Sequence, residues 1–241
     1  FTGTVGFAAR TGTLQDVSIA DTTALDMQAL TIGGNLAASA SSLTQSGALA
    51  VGGTATLTSG AGIDLNTLTV GALTVNAAGA VTQTGALDVA GNLTLNASGQ
   101  SIVLGNTNNA IDGPIAVTAA SAVLLNSAAT TLAASTLDTS LVVGSTGAIT
   151  QTGALNVAGG STTLASAAGV TLNAIDTGTL TISAGGNVTQ SAGTLNVTGN
   201  TSIDAAGQTV TLNAANAFGG SVALTAANAS LATTGPTTLG A

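Results

Sequence analysis

The residues of this chain that could do chemistry are few, and their types limit what that chemistry is. Among 241 residues Arg10 is the only base and nine Asp are the only acids; Glu, Lys, His and Cys are absent. General acid–base catalysis needs an imidazole, an amine or a matched pair of carboxylates at a groove. With acids this scattered and the other groups missing, we predict no catalytic residues, no enzymatic activity and no organic cofactor. A net charge of −8 with one base argues against nucleic acid as a partner, because phosphates are neutralised by Lys and Arg. The same balance argues against docking on an anionic membrane.

Two polar arrangements remain. Aligning short strands on Leu87, Ile111, Leu137, Leu155, Ile175 and Leu195 puts Asp88, Asp112, Asp138, Asn156, Asp176 and Asn196 one above the next. Carboxylates about 5 Å apart on adjacent strands repel by about 1 kcal/mol in water. A Ca²⁺ ion, which takes several oxygen ligands, would relieve that repulsion, so Asp88, Asp112 and Asp138 form a candidate calcium column. The competing reading is that these residues close turns, as in I-D-G at Ile111 and I-D-T-G at Ile175. The second arrangement is Gln45, Gln83, Gln151 and Gln190, each at a position where a neighbouring coil carries Leu. A buried amide needs partners, and the backbone of the following T-G or S-G turn supplies them, so these glutamines read as structural.

The elements that carry these side chains repeat. V-T-Q-T-G-A-L-D-V at Val81 recurs as L-T-Q-S-G-A-L-A-V at Leu43, I-T-Q-T-G-A-L-N-V at Ile149 and V-T-Q-S-A-G-T-L-N-V at Val188. The starts lie 38, 68 and 39 residues apart. Within each stretch, apolar-x-apolar triplets recur every six to eight residues between Gly, Asn and Ser, which is the period of strands. Three short strands per coil, stacked in register, make an all-β parallel β-helix, or β-solenoid. The coils run to 19–26 residues: 81–99, a longer 100–122, an inserted 123–148 that accounts for the interval of 68, then 149–168 and onward. One domain spans 1–241, with an irregular first coil at 1–17 and a broken last coil at 229–241. Inward columns such as Leu49, Leu87, Leu155 and Leu195 are expected to be nearly all aliphatic, and the 33 Gly and many Asn to supply turn conformations with positive φ. Mean hydropathy is +0.57, yet Thr, Ser, Asn and Gly interrupt every apolar run before the ~18 residues a membrane span needs.

The V-T-Q-T-G-A-L-x-V-x-G-x-x-T-L pattern at Val81 and Ile149, the Ala/Gly/Thr/Asn composition and the F-T-G-T-V-G opening resemble the filamentous-haemagglutinin-like exoproteins. These are very large bacterial surface proteins of the two-partner secretion type. The resemblance covers nearly the whole chain. It implies a right-handed β-helical rod, an extracellular or cell-surface location, and a segment of something longer that acts as a stiff spacer, adhesive stalk or matrix fibre. The secretion-domain motif Asn-Pro-Asn-Leu does not occur here; the only prolines are Pro114 and Pro236. Expected partners are neighbouring repeats, other copies stacked end to end into a filament, and host or matrix glycans. A carbohydrate-binding or carbohydrate-active β-helix is the alternative from another class.

Overall fold

The computed structural model describes residues 12–240. Arg10 and most of the irregular opening stretch lie outside them. The described residues contain strands and no helix, and all their ladders are parallel. They wind into a β-solenoid of about 12 turns, some 55 Å long at ~4.8 Å per turn.

The triplets explain the winding. In Ile63–Leu65 the outer residues are buried and Asp64 is not; in Leu87–Val89 the exposed middle residue is Asp88. Alternation puts every second side chain inside, and each strand completes its backbone hydrogen bonds on its equivalent one coil away. Leu43 pairs with Ile63, Ile63 with Val81, Val81 with Ile102, and Ile102 with Ala122. This line of strands is the first face. A second runs through Leu30, Leu49, Leu68 and Leu87, and a third through Leu36, Ala55, Leu73 and Leu93.

Inside lies a continuous aliphatic stack in which Leu49, Leu87, Leu155 and Leu195 are all buried. Burying a Leu side chain contributes about 1.5–3 kcal/mol. The interior is less purely aliphatic than the pattern predicts: Thr130, Thr162, Thr177, Asn109, Asn126 and Asn216 are buried too. They sit where coil lengths change and the backbone needs local partners.

The strands are longer than expected, because several run through a corner. Leu93–Leu104 and Thr201–Phe218 cover two or more faces each. The corner from the third face to the first is a bulge, with register shifts at Ala97/Ser101 and Ala205/Thr209. Gly99 and Gly207 lie in those bulges with φ of 71° and 73°, the left-handed conformation that glycine adopts without steric penalty. Asparagine does not share that task, since among the described residues no non-glycine has positive φ.

The inserted stretch differs most from its sequence reading. Following the first face, Ala122 pairs with Leu141 and Leu141 with Thr162. Three turns from Val81 therefore end at Leu141. The motif at Ile149 lies farther along and pairs instead with Thr130 and Val170, on the next face round. The interval of 68 residues is three turns and about a third. Coils in this region are close to 20 residues, as in Ile102 to Ala122 and Ala122 to Leu141, and the 26-residue coil does not exist. Gln45 and Gln83 thus stand on one face and Gln151 and Gln190 on another.

Candidate functional site

That step breaks up the proposed calcium column. Asp88 pairs with Ala110, and Val89 with Ile111, so Asp112 falls beyond the strand rather than over Asp88. Leu137 pairs with Ala119 and Val157, but the register shifts between Leu137 and Ser140, so Asp138 lies in a bulge of its strand with no ladder partner above or below. All three carboxylates are exposed, Asp88 in the middle of a strand, Asp112 just after one and Asp138 in a bulge, each on a different coil. The physical cause is the corner after Leu104: five residues, Gly105 to Asn109, advance the chain so that Ala110 arrives where Asp112 was expected. Among the described residues no group of three or more His, Cys, Asp or Glu is placed to hold a metal ion. The upper part of the alignment does form a line, with Asn156, Asp176 and Asn196 paired in sequence. There the Asn196 amide donates to Asp176 Oδ1 at 3.1 Å, an outward polar ladder matched by Asn96 on Asn76 at 2.8 Å.

The glutamine corners are the built site of the molecule. Gln151 is buried, and its amide nitrogen donates to Gly153 O at 2.9 Å and Ala174 O at 2.5 Å, while its oxygen accepts Asn173 N–H at 3.0 Å. Gln45 repeats this with Gly47 O at 3.0 Å, Thr67 O at 2.8 Å and Asn66 N–H at 3.2 Å. One amide therefore ties its own turn to the coil above. The rest of the motif serves the same corner. Thr152 Oγ1 donates to Leu132 O one coil below at 3.2 Å, and Ser191 Oγ to Leu172 O at 3.0 Å. The glycine provides close approach: a Cβ on Gly153 would stand 2.2 Å from Ala134 N, and one on Gly85 2.2 Å from Thr67 N.

Two partners were not singled out from sequence, Asn109 and Asn216. Both are fully buried. Asn109 Nδ2 donates to Gln83 Oε1 at 3.1 Å and Gln83 Nε2 returns a bond to Asn109 Oδ1; Gln190 and Asn216 form the same reciprocal pair at 3.0 and 2.8 Å. In the short corners the carbonyls of Thr67 and Ala174 accept both the Gln amide and the next strand's first N–H, from Leu49 and Leu155. In the longer corners the asparagine oxygen takes over both bonds, accepting Leu87 N–H at 2.9 Å and Leu195 N–H at 2.8 Å. The side-chain amide stands in for a displaced peptide carbonyl. A signal was present in the sequence: each of these asparagines follows its glutamine by 26 residues, in a coil longer than its neighbours.

Four stretches of the chain, residues 14–69, 62–118, 120–176 and 163–225, match a family described as repeats of unknown function (DUF5649). The chain belongs to that family. No curated protein and no solved structure matches it. Each DUF5649 match spans about three coils, and successive matches overlap at 62–69 and 163–176. Overlap is what a continuous solenoid produces, because each coil contacts only its neighbours and no unit has a natural boundary. In this chain each matched stretch holds one glutamine corner, at Gln45, Gln83, Gln151 and Gln190, and their chemistry is backbone satisfaction. No helix among the described residues is long and apolar enough to cross a membrane.

Proposed function

We propose that this chain is a stiff structural segment of an exported bacterial surface or matrix protein, a spacer or fibre element without catalytic activity. The observation that carries the reading is the ladder continuing from Val17, paired with Leu36, to Val222, paired with Leu239, with an amide clamp at each glutamine corner. Such a stack resists bending because every coil is tied to the next through backbone bonds and a dry core. With Arg10 the only base and no Lys, the chain offers few sites for trypsin-like proteases, which suits an extracellular setting. Adhesion to host or matrix glycans belongs to the same proposal as the role of exposed faces along the rod. End-to-end stacking of copies into a filament, by addition of parallel strands, is part of the same proposal.

The test is antibody labelling of intact and permeabilised cells of the native host, joined to a screen of polysaccharides for new reducing ends or unsaturated products. Staining of intact cells with no product formed is the expected result. Staining only after permeabilisation overturns the exported role, and product formation overturns the non-catalytic one.

A further inference from the structure

The first face carries an outward patch unlike the rest of the rod. Its middle positions are Thr44, Asp64 and Thr82 at the lower end and Thr163, Thr181 and Ser202 at the upper. Between them stand Val103, Val123 and Val142, paired one above the next. Val103 is 43% exposed, one of two large apolar side chains so exposed among the described residues. Leu125 also points outward on this face, its Cδ2 only 2.7 Å from where a Cβ on Gly144 would lie. A shallow groove beside it is lined by Thr107, Leu125, Gly144, Thr146, Ala165 and Ser183. A serine column, Ser101, Ser121, Ser140 and Ser161, flanks the valines. These coils are the ones through which the repeat steps from face to face.

We propose that this face is where a second copy of the chain lies alongside, so that rods pair laterally and antiparallel. The commitment to a second copy rests on charge and area. Between Asp64 and Asp204 the face passes through six coils, at Val81, Ile102, Ala122, Leu141, Thr162 and Leu180, whose strands on it hold no ionisable side chain. The other two faces and their corners carry Asp88, Asp112, Asp138 and Asp176 over the same height. For a chain of net charge −8 this is a long side on which two copies meet without carboxylates between them, and unlike the carboxylate-free strands stacked through Thr131, Thr150 and Thr171 it turns Val103, Val123, Val142 and Leu125 outward. A two-fold axis near Gly144 sets Asp204 of one copy against Thr82 of the other, whereas parallel in-register pairing sets Asp against Asp. Six coils at ~4.8 Å by six strand residues at ~3.3 Å give about 600 Å² per copy, or about 1,200 Å² in all. That lies at the lower bound for a specific interface, so the pairing is weak and reversible.

The experiment is sedimentation velocity and small-angle scattering of the 241-residue chain from about 1 μM to 1 mM. A monomer–dimer equilibrium is expected, with a dimer as long as the monomer and thicker in cross-section. Val123→Asp and Leu125→Asp, changes at outward positions, should each weaken dimerisation at least tenfold. Thr69→Asp on the second face should leave it unchanged. Circular dichroism confirms that each variant keeps the wild-type strand signal. A chain that stays monomeric to 1 mM, a dimer of doubled length, or a Val123→Asp variant that dimerises like wild type would each overturn the proposal.

Discussion

Replacing Asn109 by Ala tests whether a side-chain amide truly substitutes for the backbone at the longer corners. The change removes one accepted bond from the Leu87 N–H and a reciprocal pair with Gln83, and it removes donation to Leu125 O at 3.1 Å. Leu87 is fully buried, so its orphaned N–H costs about 1–3 kcal/mol. The half-buried Gln83 keeps its bonds to Gly85 O and Asn106 N–H and is only partly stranded, adding about 1 kcal/mol. The small cavity left by the missing carboxamide adds about 1 kcal/mol more. We expect a loss of about 3–5 kcal/mol, whereas Asn108→Ala, at an exposed neighbouring position, should stay within about 0.5 kcal/mol. Chemical denaturation gives the global figure. Because coils in a solenoid open locally, amide hydrogen exchange at Leu87 gives the decisive one. Its protection should fall at least tenfold more than that of Leu68 one coil below. A loss under 1 kcal/mol with Leu87 protection unchanged would refute the substitution argument. In a double-mutant cycle, Gln83→Leu should couple to Asn109→Ala by about 1–3 kcal/mol, since the two share one network.

Other changes read other parts of the corner. Gly153→Ala forces a methyl onto the Ala134 backbone at 2.2 Å and should destabilise by about 3 kcal/mol or more, measured by denaturation, although its φ is ordinary. Thr201→Val removes a hydroxyl that is buried without a hydrogen-bond partner, so it should be neutral or stabilise by about 1 kcal/mol; a loss above 1 kcal/mol would mean that the hydroxyl is bonded in solution. The Asp21 carboxylate is held below its ordinary pKa by hydrogen bonds from the Thr23 backbone N–H and hydroxyl. Its contribution is therefore present at neutral pH and is lost as the pH falls through the carboxylate range. An NMR titration should show the Asp21 midpoint rising in Thr23→Ala.

The parts of the fold that were legible in the sequence are those fixed by single side chains. Each position of V-T-Q-x-G-A-L has one local task, whether to point inward, clamp the corner or lie without a Cβ against the coil below, so the motif announces strand, corner and strand wherever it occurs. The inward columns at Leu49 and Leu155 followed from the same alternation. Which face a motif lands on was not legible, because that depends on the summed lengths of all intervening corners. The interval of 68 divides as readily into three long coils as into three ordinary coils and a third. The choice is made at Gly105 to Asn109, where Asn109 folds back into the interior, and at Asn126, whose amide bonds both Ile111 N–H and Ile111 O in place of a ladder strand. The calcium column failed for that reason alone: Asp88, Asp112 and Asp138 were aligned on motif phase, and motif phase is not conserved along the rod axis.

Stiffness is the property on which the functional reading stands, and pulling on a single chain measures it. With handles at both ends, the account predicts a length held near 55 Å at low load, from about 12 turns at ~4.8 Å. Extension should then come in abrupt events, each a multiple of about 60 Å, the length a coil of roughly 20 residues gains when drawn out. Smooth lengthening from the lowest loads, as from loosely tethered coils, would contradict it.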